Sequence, residues 1–201
     1  MALSNHHPGW TDRGFLPHYD QPGLVQSVTF RLADSLPKER RSEWEHLVKI
    51  TEDAERIRRL EEYLDLGAGA CVLRRPDCAE IVENALLHFQ GLRYNLVAWC
   101  VMPNHVHTLF ETFRDHPIGK VRHSWKTFTA REVNKVLHQS GQLWQDDYFD
   151  TFMRDDDHRA AEVLYIEQNP VKAGLAKRPA EWPWSSARRD ARAMQSADAC
   201  E

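Results

Sequence analysis

The stretch Tyr94-Asn95-Leu96-Val97-Ala98-Trp99-Cys100-Val101, followed by Met102-Pro103-Asn104 and His105-Val106-His107-Thr108-Leu109-Phe110-Glu111, reads as two strands joined by a turn. Apolar, aromatic and β-branched residues fill both runs, and Pro103-Asn104 supplies the turn chemistry between them. Alternate side chains of a strand leave one face about 6 to 7 Å apart. His105 and His107 therefore point the same way, and Val106 points into the opposite layer. Two neutral imidazoles on one face suit a divalent transition metal and leave positions open for a third side chain and a substrate oxygen. Histidine pairs at this spacing also arise by chance, so the pair alone leaves metal binding open.

Outward from this hairpin, Leu24 to Leu32 is a further strand, bounded by Pro22-Gly23 and by Asp34 to Pro37. Lys38 to Leu66 is charged, with Trp44, Leu47, Val48, Ile57, Leu60 and Leu64 near helical spacing, and Gly67-Ala68-Gly69 ends it. It reads as one or two surface helices, a solvated face or a partner-binding surface. Pro76-Asp77 opens a helix whose stripe Ile81, Val82, Ala85, Leu86 and Phe89 stops at Gly91. Another helix spans about Ile118 to His138 and a short strand Tyr148 to Met153. A last helix runs from Asp156 to about Gln168, where Asn169-Pro170 is expected to stop it. This order predicts an α+β fold of ferredoxin-like kind: a two-layer sandwich with a four-stranded, mainly antiparallel sheet and helices on one face. Residues 1–201 read as a single domain, with an irregular arm over 1–23, a charged helical insertion over 38–66 and a flexible tail over 190–201.

A chain of 201 residues can bury a proper core without staples. No stretch approaches the roughly 20 apolar residues of a membrane span, and the first residues lack the pattern of a signal peptide, so a cytoplasmic protein is expected. Cys71, Cys78, Cys100 and Cys200 have no zinc-like spacing and read as buried or idle thiols. The net charge of −4 conceals two basic segments. From His116 to Ser140, Lys120, Arg122, Lys126, Arg131 and Lys135 stand against Glu132 alone; from Lys172 to Arg192, six cations face Glu181 and Asp190. Charge by itself does not separate a solvated face from a nucleic-acid contact.

The last helix carries Tyr165-Ile166-Glu167-Gln168-Asn169-Pro170-Val171-Lys172-Ala173-Gly174-Leu175, in which Tyr165 and Asn169 lie one turn apart on one face. A phenol has a pKa of about 10, so its attack on phosphorus needs a nearby base or an electrophile activated by metal. The same two residues also fit an amphipathic core tyrosine and a helix C-cap.

Pro103-Asn104-His105-Val106-His107 resembles the metal-binding motif of the HUH endonucleases, and Tyr165 to Leu175 resembles the catalytic-tyrosine segment of the single-tyrosine transposases. The resemblance is closest to the REP-associated tyrosine transposases. It extends to Ser124 to Ala130, Trp144 to Asp150, Trp182 to Ala187 and Arg13 to Asp20, covering roughly Arg13 to Arg189. It implies His105 and His107 as metal ligands, Asn169 as the third, Tyr165 as nucleophile, and Mg or Mn as the ion. It further implies single-stranded or hairpin DNA as partner, cleaved and rejoined through a 5′-phosphotyrosyl link, in a monomer or homodimer that is nucleoid-associated when bound.

No nucleotide cofactor is expected, in keeping with the lack of a G-x-x-x-x-G-K-[ST] loop. On this reading Lys120, Arg122, Lys126, Arg131, Lys172, Lys177 and Arg178 are phosphate contacts, and Trp125 or Trp184 stacks on bases. The acidic residues Asp146, Asp147, Asp150 and Asp155 to Asp157 are expected to point away from DNA or to cap the last helix. Tyr148 reads as structural. Two other functions stay open at this point: a hairpin-binding regulatory protein without transposition activity, and a metal hydrolase that uses water.

Overall fold

The computed structural model describes residues 6–12, 17–36, 42, 46–47, 50 and 53–191. Most of the expected helical stretch over 38–52, the tail from 192 and Cys200 lie outside the described residues. Strands β1 (Gly9–Asp12), β2 (Pro17–Asp20) and β3 (Val25–Arg31) are followed by helices α1 (Asp53–Asp65) and α2 (Pro76–Leu87). Then come β4 (Tyr94–Val101), β5 (His105–Thr112), α3 (Ile118–Val136), β6 (Phe149–Phe152) and α4 (Asp156–Lys172). The main sheet has the order β4-β5-β3-β6 and every pair in it is antiparallel. With α2 and α3 as its crossovers, this is the expected α+β, ferredoxin-like arrangement.

The helices divide between the two faces of the sheet, which corrects the expectation of one covered face. Val28, Phe30, Leu96, Trp99, Val106 and Phe110 form one core layer with Leu86 of α2 and Val121 and Trp125 of α3. The opposite face carries Ala98, Cys100 and Leu109 against Ile166 of α4, and Phe149 against Leu60 and Leu64 of α1. β5 is thus the inner strand of a three-layer stack at this point. His105 and His107 are both 0% exposed.

Two local expectations are corrected. The opening segment is not wholly irregular: β1 and β2 pair antiparallel, with Trp10 against Tyr19 at 4.9 Å between ring centroids. These four-residue strands lack the alternation that marks a strand in sequence, and contacts to β6 hold them: the amide of Tyr19 donates to Asp150 Oδ2 at 3.2 Å, and Trp10 meets Phe152. The last helix does not stop at Asn169-Pro170 but continues to Lys172 with Pro170 inside it. Its end is a Schellman motif at Gly174 (φ +69°), whose N–H donates to Val171 O at 3.0 Å while Leu175 N–H donates to Pro170 O at 2.8 Å. At the other end Asp155 caps the helix by accepting from His158 N–H at 2.7 Å, with Asp156 and Asp157 in the first turn.

The outer border of β4 is occupied. Alternate amides of this edge strand face outward, and a bulge between Leu96 and Ala98 shifts which residues supply them. Leu96 N–H donates to Gln90 Oε1 (2.5 Å), Trp99 N–H to Ser186 Oγ (3.3 Å) and Val101 N–H to Trp184 O (2.9 Å). Among the described residues no helix is long and apolar enough to cross a membrane.

Candidate active site

β5 presents His105 and His107 to the layer beneath α1 and α4, and the surroundings fix the tautomer of His105. Asn104 donates from Nδ2 to Leu64 O and Ala68 O, both at 3.1 Å, so its Oδ1 is the acceptor that meets His105 Nδ1 at 2.8 Å. His105 therefore carries its proton on Nδ1 and offers a lone pair at Nε2. That lone pair lies 2.8 Å from His107 Nε2. On its other edge His107 Nδ1 meets Thr29 Oγ1 at 2.9 Å. Burial holds both imidazoles neutral, pushing His105 well below the usual histidine range and His107 down to about 3.

Asn169 of α4 completes the group. With its nitrogen toward His107 its oxygen would face the Asp65 carboxylate, acceptor against acceptor. The reverse orientation satisfies both ends: Oδ1 lies 3.1 Å from His107 Nε2, and Nδ2 donates to Asp65 at 3.1 and 3.2 Å. Tyr165, one turn earlier on α4, has its ring 6.1 Å from that of His107, and its hydroxyl donates to Glu61 Oε2 at 2.6 Å. Burial, then the charge of Glu61, raises the phenol far above its ordinary pKa, while Asn169 pulls it slightly back. The residues expected at the site from the two motifs are thus gathered at one place: His105, His107, Asn169 and Tyr165.

Two members were missed. Glu61 and Asp65 come from α1, inside the stretch that reads as a solvated insertion. Glu61 Oε1 is 3.7 Å from His107 Nδ1, and Asp65 Oδ1 is 3.7 Å from His105 Nε2. Burial raises Glu61 to about 8 and Asp65 to about 7. The signal for them was the adjacency of Glu61 and Asp65 to Leu60 and Leu64, which places both carboxylates beside the buried stripe of the helix. α1 separates two clefts: one of about 320 Å³ reaches Glu61, Thr29 and Tyr165, and one of about 190 Å³ reaches Asp65, Asn104, His105 and Arg74.

The donor set fits a divalent cation. Cis ligands held about 2.1 Å from one octahedral ion lie about 3 Å apart, and His105 Nε2 and the Asn169 oxygen each stand at about that spacing from His107 Nε2 (2.8 and 3.1 Å). Among the described residues no three His, Cys, Asp or Glu side chains gather to hold a metal; here the third donor is an amide.

The expected phosphate contacts are scattered. Lys172 reaches the site, its Nζ 4.0 Å over the Tyr165 ring. Lys120, Arg122, Lys126 and Arg131 ride on α3, across the sheet from the imidazoles. Arg122 donates to Asp146 O at 3.0 Å and Lys126 to Gln145 O, bracing the segment before β6, while Arg131 pairs with Glu132. Lys177 is exposed, and Arg178 pairs with Glu181. Trp125 is 2% exposed and core, not a base-stacking platform; its indole N–H donates to the Tyr94 hydroxyl at 2.9 Å. Trp184 is half-buried against the same core. Tyr148 is clasped between His18 and Arg122, as a structural tyrosine would be.

Residues 74–169, from just before α2 through Asn169, match the family model described as Transposase IS200 like. The chain matches the IS200-like transposases. A REP-associated tyrosine transposase of Escherichia coli is 31% identical over 115 residues, which is 55% of this chain and 66% of that protein. A chain of Haemophilus influenzae named as a candidate REP-associated tyrosine transposase is 29% identical over 110 residues, 50% of this chain and 62% of the relative. The matched stretch thus spans just under two thirds of either curated relative. The solved structure of a REP-associated tyrosine transposase bound to a REP hairpin superposes with a TM-score of 0.51 at 20% identity, over 87% of this chain and 83% of that one, and shows the shared fold. The IS200-like segment includes His105, His107, Tyr165 and Asn169; Glu61 and Asp65 precede it.

Proposed function

We propose that this protein is a metal-dependent endonuclease and strand transferase for single-stranded DNA at hairpins, with Tyr165 as nucleophile. The observation that carries the reading is the meeting of Tyr165 with His105, His107 and Asn169 within a segment that matches the IS200-like transposases. The hairpin as partner is taken over from the solved relative. His105, His107 and Asn169 would hold Mg or Mn, and a bound divalent ion would polarise a phosphodiester and stabilise charge on its oxygens.

The chain's own groups do the rest. Tyr165 attacks phosphorus, a bond forms between the phenolic oxygen and the 5′-phosphate, and the bond to the 3′ oxygen breaks. In its ionised form Glu61 takes the phenolic proton at Oε2, which already accepts the phenolic hydrogen bond, and one proton returns by way of solvent to the departing oxygen, leaving a free 3′-hydroxyl. The ester retains the bond energy, so rejoining needs no nucleotide. Lys172, above the phenol ring, supplies positive charge beside the phosphate.

Hairpin-bearing single-stranded oligonucleotides incubated with the protein and Mn²⁺ should give a covalent adduct that survives denaturing electrophoresis. Tyr165→Phe should abolish it while leaving hairpin binding largely intact. Binding without an adduct under either metal sinks the transferase reading in favour of a regulatory hairpin binder, and cleavage that persists in Tyr165→Phe favours hydrolysis by water.

A further inference from the structure

A carboxamide presents either oxygen or nitrogen to a neighbour, and only the oxygen is a ligand. Asn169 therefore fits a cation site in one of its two orientations, and something must choose. Its other neighbour is the Asp65 carboxyl, which in its ionised form only accepts. With Nδ2 toward Asp65 both donor contacts form, at 3.1 and 3.2 Å, and Oδ1 faces His107 Nε2. Turned over, the amide oxygen would be pressed against the carboxylate.

Asp65 is itself fixed. Leu64 beside it is 0% exposed, and the backbone around it is tied to the hairpin turn through Asn104 Nδ2, which donates to Leu64 O and Ala68 O. Its nearest approach to an imidazole nitrogen is 3.7 Å, beyond hydrogen-bond range.

We infer that Asp65, from a helix outside the matched segment, is a positioning residue of the cation site, orienting the Asn169 amide so that its oxygen faces His107 Nε2. This rests on the reading that the site takes a divalent cation. α1 thereby becomes part of the site and not an appended surface.

The test is Mn²⁺ binding to the full chain, read by titration calorimetry and by the electron paramagnetic resonance spectrum of bound Mn²⁺. Asp65→Asn, the same shape but able to donate to the Asn169 oxygen, should weaken binding about tenfold or more. Adding Asn169→Asp to that variant should restore affinity, because a carboxylate presents oxygen in either orientation. Asp65→Asn should also cost nothing further in an Asn169→Ala background.

Wild-type affinity in Asp65→Asn, or no recovery in the double variant, overturns the inference alone. A wild type whose Mn²⁺ uptake is absent, or unchanged by His105→Ala with His107→Ala, overturns the cation reading and this inference with it. Should Asp65→Asn fail to fold, hydrogen exchange in the wild type decides. The Asn169 side-chain amide protons should exchange at least about tenfold more slowly than those of an exposed asparagine, and free exchange refutes the contact.

Discussion

Glu61 sets the sign of the protein's response to pH. Burial lifts its carboxyl from 4.5 to about 8, and that of Asp65 from 3.8 to about 7. Folded protein therefore keeps protons that the unfolded chain has lost, and this contribution to stability declines as pH rises through those windows. The imidazoles work the other way: His107 falls from 6.5 to about 3, so acid favours the unfolded chain, which binds the protons the folded site refuses. The two effects oppose each other between about 4.5 and 6.5, and above 6.5 only the carboxyl effect remains. Without added metal, the melting temperature should fall between roughly pH 6.5 and 8, and Glu61→Gln should flatten that fall. An equal slope in the variant, followed by circular dichroism, contradicts the assignment.

Strand alternation and one helical turn fix which residues share a face, so the pairing of His105 with His107 and of Tyr165 with Asn169 was legible in the sequence; that the two pairs serve one site was what the resemblance implied. Glu61 and Asp65 were not legible. On a helix where Arg58 pairs with Glu55 and Glu62 in solvent, two further acids look like more of the same surface.

Among the elements, α4 shows where a local rule yields to tertiary contacts. A proline disfavours a helical residue before it by steric clash, yet does not forbid one. Asn169 is held helical by its bonds to His107 and Asp65, and Pro170 gives up only one amide near the helix end. Termination is left to Gly174, where a Cβ would meet nothing within 4 Å but the positive φ remains. Gly174→Ala should therefore cost about 1 kcal/mol through backbone strain alone, read from denaturant unfolding. A neutral result would show that the cap is not needed to end α4. The strand boundaries needed no such context: Tyr94–Val101 and the start of β5 at His105 fall where composition and the Pro103-Asn104 turn place them.

At the scale of the whole molecule, the strand order and the α+β class follow from the order of periodic segments, but the division of helices between faces does not. The two buried histidines pass for polar outward residues until a second layer is seen above them. The larger core lies on the far side of the sheet from the site, centred on Trp125 among Phe30, Tyr94 and Phe110. Trp125→Ala should cost about 3 to 5 kcal/mol, a large share of the roughly 5 to 15 kcal/mol that holds a domain folded. Loss of the cooperative unfolding transition or a large drop in its midpoint is expected, and near-wild-type stability would displace Trp125 from the core.

The border of β4 bears on how copies of this protein meet. Three of its outward amides already have acceptors within the chain, so a second copy finds no open row of donors there to zip onto. At that rim only side chains are left to meet a neighbour, and the ribbon-like stacking to which bare strands are prone is foreclosed there.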